Sequence, residues 1–174
     1  MATETGSSTP DVAKLLGGDW RLGLAAGLVA GLAFGGVVSV TSPDVLRSTI
    51  PAVYGVAPPD DPVFGWIVHV LHASVLGIGF SAVIGLSGLS GASAREQVGA
   101  AIVYALAVWL AFAVVALPVW LSLVESGVSV PFPYVSSAML AGHAAYGVVL
   151  GVVYYAFDVP ADEDDRDRSA TGGN

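Results

Sequence analysis

The chain carries three histidines, and all three lie inside apolar runs: His69 and His72 in "GWIVHVLHASVLGIGFSAVIG" (65–85) and His143 in "AGHAAYGVVLGVVYYAF" (141–157). Imidazole changes charge near neutral pH and, when neutral, ligates metals, so these positions set the chemistry to be weighed first. His69 and His72 are three residues apart and share a helix face, so they can hold one metal ion together, with His143 as a third ligand. Alternatively, either of them can oppose His143 across a haem iron. Depth favours His72 with His143 as the cofactor pair. Counted from the outer ends of their runs, each lies roughly 12–14 Å in at ~1.5 Å per residue, with His69 about one turn shallower. A quinone-binding or proton-handling role is a further alternative. The competing reading is packing: intramembrane ionisable groups usually face a bundle interior, and an imidazole bonded to a helix carbonyl meets that constraint with no cofactor. Packing is the expected role, and haem or metal is open but not favoured.

The elements that must position these residues are membrane helices. Hydrophobic residues make up 55% of 174 positions and charged residues 11%, against roughly 25% charged in a soluble domain. The apolar residues fall into four blocks at about 20–41, 64–86, 98–121 and 134–157, each near the ~20 residues that cross the hydrocarbon as a helix. None contains Asp, Glu or Lys, and the one Arg, Arg21, stands at the start of the first. Barrel strands would alternate in shorter segments, and these blocks do not. The fold class is therefore all-α, a four-transmembrane-helix bundle over residues 20–157, preceded by a leader (1–19) and followed by a tail (158–174). The leader is polar and the first block is longer than a cleaved signal core, so the first helix is expected to stay.

Basic residues mark the cytoplasmic side. Lys14 and Arg21 flank the start of the first block, Arg95 lies in the second loop and Arg166 and Arg168 in the tail, against Arg47 alone in the first loop and none in the third. Both termini are thus expected inside, as in a multi-pass protein of the cell membrane. Trp20, Tyr154 and Tyr155 would form the inner aromatic belt and Trp66, Trp120 and Tyr134 the outer one. Much of the net charge of −8 comes from the tail "DVPADEDDRDRSATGGN", which reads as solvated and disordered. The acidic balance fits adaptation to high salt and argues against nucleic acid as a partner. With no cysteine there is no disulfide and no thiolate chemistry.

Overlaying "HVLHASVLGIGFSAV" on "HAAYGVVLGVVYYAF" aligns His69 with His143 and Val75-Leu76-Gly77 with Val149-Leu150-Gly151. Two tandem two-helix repeats about an axis along the membrane normal would follow, with chance similarity between glycine-rich helices as the alternative. Gly27, Gly31 and Gly35 form one stripe on the first block, and Gly147 and Gly151 repeat the spacing on the fourth. Such stripes let helix backbones approach closely. Packing within the bundle is the expected use and homodimerisation the alternative. Pro118 is expected to kink or end the third helix.

Enzyme signatures are missing from the sequence: it has no "HExxH", P-loop or "GxSxG". Glu125 and Ser126 are adjacent in an outer loop with no histidine nearby. The glycine-rich first helix, the proline-containing outer loop and the form His143-x-x-Tyr146-Gly147-x-x-x-Gly151 resemble a group of four-helix membrane proteins from halophilic archaea. Some of that group carry a histidine-kinase label, but this chain has no ATP-binding glycine loops and no soluble catalytic domain. The resemblance implies fold and membrane location, and carries over no functional residue. The expected function is that of a non-enzymatic membrane component, in a homo-oligomer or with other membrane subunits in the bilayer. A haem- or metal-binding electron-transfer subunit is the first alternative, and a small transporter or channel subunit the second.

Overall fold

Asp19 sets where the first span begins. Its Oδ1 accepts from the backbone N–H of Arg21 at 2.8 Å and of Leu22 at 3.4 Å, satisfying donors that a helix start leaves open. The computed structural model describes residues 18–56 and 62–158; nearly all of the leader and of the acidic tail lies outside the described residues. Four helices are long and apolar enough to cross a membrane: α1 (Trp20–Thr41), α3 (Val63–Leu86), α4 (Ala94–Leu123) and α5 (Ser137–Phe157). A short α2 (Ile50–Val53), entered through the π turn Val45–Thr49, follows α1. No strand occurs among the described residues.

Two spans differ at their ends from the apolar blocks. α4 starts at Ala94 rather than near residue 98, because Ser93 and Glu96 form a reciprocal capping box and Gln97, polar but fully buried, belongs to the helix. α5 starts at Ser137 rather than 134, where the Ser136 hydroxyl accepts from Met139 N–H. Pro118 does not end α4. Lacking an N–H, it cannot bond the carbonyl of Val114, four residues back. Instead the helix is wound as a π-helix over Trp109–Ala116, with Leu117 N–H reaching Phe112 O, and Val114 O accepts from Tyr134 N–H of the last loop at 3.1 Å. The carbonyl that proline would orphan is thereby satisfied, as a membrane interior requires.

Glycines set the tightest helix contacts. A Cβ built on Gly27 would lie 2.5 Å from Ala73 O and 2.8 Å from Gly77 Cα, and one on Gly31 would lie 2.4 Å from Ala73 Cβ. Gly35 makes room for the Trp66 ring. The α1 stripe is therefore buried against α3 of the same chain. On α5, Gly147 meets Ala101 and Ala105 of α4, and Gly151 meets Val98 and Ala101. α1 also packs along α5, whereas α3 and α4 touch sparsely. The α1–α3 and α4–α5 pairs are those a two-helix repeat would give, and Gly77 and Gly151 stand at matching places in them. The α1–α5 interface has no comparably close counterpart between α3 and α4.

Hydroxyls brace this packing. Tyr146 donates to Ala73 O at 2.7 Å and Tyr104 to Leu76 O at 2.8 Å, tying α5 and α4 to α3. Tyr154, expected in the inner belt, is instead fully buried with its ring edge on Phe80. At the end of the bundle where α5 stops, the Gln97 amide donates to Leu89 O at 2.9 Å and to Asp158 Oδ2 at 2.5 Å, and Gly91 N–H donates to the same carboxylate oxygen at 3.0 Å. This latch holds the end of α5 to the second loop.

Candidate intramembrane histidine site

His69 is buried on the α1-facing side of α3, where the glycine contact brings the two backbones together. Its Nε2 donates to Gly31 O at 3.0 Å. His143 is buried on α5 and its Nδ1 donates to Met139 O, one turn back on its own helix, at 2.8 Å. A carbonyl only accepts, so these bonds place the ring proton on Nε2 of His69 and on Nδ1 of His143. Phe34 of α1 links the two: its ring centroid lies 4.9 Å from that of His69 and 4.6 Å from that of His143, both edge-on. Gly142 makes this possible, since a Cβ there would lie 2.1 Å from Phe34 Cε2. Trp66 closes the other side of His69 at 6.2 Å.

His72 has a different setting. It is exposed on α3, with Nε2 at 2.5 Å from the Tyr54 hydroxyl and the two rings stacked at 5.8 Å. The ring that shares an aromatic neighbour with His143 is thus His69, not the His72 that depth favoured. Depth fixes height along the axis but not direction around it. Three residues turn a helix through about 300°, which leaves His69 and His72 some 60° apart in azimuth. That is enough to send one inward and the other out.

Among the described residues no three His, Cys, Asp or Glu side chains are grouped to hold a metal ion, so His69, His72 and His143 are not gathered as a ligand set. The small residues that would line a flat haem cavity are filled by neighbouring backbone. A Cβ on Gly77 would lie 2.1 Å from Gly23 O, and one on Gly147 2.9 Å from Ala101 O. His69 thus bonds across from α3 to α1, the bond of His143 stays within α5, and both rings pack against Phe34. Sequence reasoning missed Phe34, Tyr104 and Tyr54. Tyr104, a phenol inside an otherwise apolar block, was the one visible signal among them.

Residues 18–164 match a family of unknown function, DUF6789, and the chain belongs to that family. No curated protein and no solved structure matches it.

Proposed function

We propose that the chain is a non-enzymatic component of a cell membrane that works as a subunit of a homo-oligomer or of a larger membrane assembly, with α4 as the face it offers. The observation that carries this reading is the uneven cover of the four spans. Only 22% of the apolar window of α4 is buried within the chain, against 44% for α1, 33% for α3 and 39% for α5. His69, His143, Tyr104 and Tyr146 meanwhile bind helix carbonyls of the same chain, which supports reading them as braces rather than reactants. Helices in membranes associate through packing and interhelical hydrogen bonds rather than through a hydrophobic drive. A span so little covered by its own chain is where a partner gains most. Light scattering on protein extracted into native lipid discs tests the reading: more than one protein chain per disc is the expected result, and one isolated chain contradicts it.

Both termini face the cytoplasm in this reading, supported by the bias of basic residues toward the leader, second loop and tail. The chain has no cysteine, so single cysteines report cleanly. In intact cells, Ser129→Cys in the last loop should react with an impermeant thiol reagent and Ser87→Cys in the second loop should not. The reverse pattern would overturn the orientation.

A further inference from the structure

We propose that His72 and Tyr54 form a lateral binding site, open to the lipid phase near mid-membrane, for a lipid-soluble ring of the quinone–quinol class. The depth of His72 comes from two helices that agree, and Tyr54 reaches it from nearer the end of α4, where Trp120 bonds Val53 O. His72 lies between two and three residues from the midpoint of α3 (Val63–Leu86), about 4 Å at ~1.5 Å per residue. The midpoint of α1 (Trp20–Thr41) falls at Ala30–Gly31, and Gly31 packs against Ala73, the neighbour of His72. At that depth an ionisable side chain ordinarily faces the bundle interior, as His69 and His143 do. His72 faces out, and Tyr54 is 53% exposed beside it.

The pair is held in place. Leu46, Thr49, Pro51 and Ala52, in the segment that leads to Tyr54, are buried. Gly65 sits so close to Leu46 that a Cβ would overlap its carbonyl, and Trp120 Nε1 of α4 donates to Val53 O at 2.8 Å. Tyr54 is thereby fixed over the imidazole, with Leu71 and Val75, 59% and 65% exposed, as its apolar flanks.

Hydrogen counting defines the ligand. A neutral imidazole and a phenol carry one N–H and one O–H between them. Their mutual bond uses one of these whichever group donates, and no other hydrogen bond engages His72 among the described residues. One donor and an acceptor lone pair therefore remain for an incoming group. A quinone carbonyl takes the donor, a quinol hydroxyl uses both, and a flat ring stacks on the exposed aromatic faces. Phospholipid ester carbonyls lie at the edge of a hydrocarbon core about 30 Å thick, roughly 15 Å from its centre, and do not reach the level of His72. A ring that diffuses within the core does.

The probe is a radiolabelled decyl-substituted benzoquinone titrated into the full chain in phosphatidylcholine nanodiscs, with protein-free discs as baseline. The expected result is saturable binding of one molecule per chain, weakened at least tenfold by Tyr54→Phe and by His72→Leu but unchanged by Val152→Ala, with helical circular dichroism intact throughout. Absence of saturation in the unsubstituted chain, or an affinity in either variant equal to that of the unsubstituted chain, would overturn the proposal. It also fails if no quinone binds while His72→Leu lowers the number of chains per disc, because a second copy then covers the pair. Quinone binding is read separately from the number of chains per disc in the unsubstituted protein, so its failure leaves the assembly reading to its own test.

Discussion

A chain carrying Gly27→Leu is expected to yield no stable bundle, whereas Gly36→Leu, nine residues along the same helix, is expected to behave as the parent. A Cβ at Gly27 already lies 2.5 Å from a carbonyl oxygen and 2.8 Å from the Cα of Gly77, both backbone atoms that cannot swing aside. A Cβ at Gly36 has nothing within 4 Å. Overpacking a tight core costs about 1–3 kcal/mol or more, and a whole isobutyl group wedged between α1 and α3 belongs at the upper end. It would also pull Gly31 O away from His69. Thermal unfolding in detergent, followed by circular dichroism, gives the comparison. Equal stability of the two variants would show that α1 does not lie on α3 as described.

The second large effect is expected at Phe34. Its ring is 8% exposed and supports both buried imidazoles while filling the recess beside Gly142. Truncating a buried phenylalanine to alanine costs about 3–5 kcal/mol in close-packed cores. Phe34→Ala should therefore lower unfolding stability by that order, while Val40→Ala, at a position 85% exposed, should change it by less than about 0.5 kcal/mol. A loss no larger than that of Val40→Ala would show that Phe34 is not packed between α3 and α5 as described.

Much of this architecture was legible in the sequence, for identifiable reasons. Hydrocarbon imposes both a length and an exclusion of charge, so the four blocks appear as runs free of Asp, Glu and Lys, and the glycine spacing of α1 marks the side on which α3 lies. The ends of α4 and α5 were less legible, because capping by Ser93 with Glu96 and by Ser136 overrides the edge of the apolar block. The winding around Pro118 depends on a loop amide, Tyr134 N–H, distant in sequence from the carbonyl it satisfies. The histidine arrangement was half legible. Burial of His69 and His143 against helix carbonyls follows from the rule for intramembrane polar groups, but their common contact with Phe34 needed the azimuth of three helices, which spacing along one chain does not carry. Tyr54 lies in a loop whose fold onto α3 leaves no periodic trace.

The claim at the centre of this account is that α4 is the face through which the chain joins an assembly, and crosslinking from single cysteines in intact membranes tests it most directly. Val103 and Phe112 on α4 are 68% and 60% exposed, while Leu32 on α1 and Val152 on α5 are 49% and 51% exposed, so all four are open to a short bifunctional thiol reagent or to disulfide formation. With α4 as the contact face, Val103→Cys or Phe112→Cys gives a defined product, at twice the mass of the chain for a homo-oligomer or at another fixed mass for a different subunit, and Leu32→Cys and Val152→Cys give none. Products of equal yield at all four positions, or none at either α4 position, would contradict the claim.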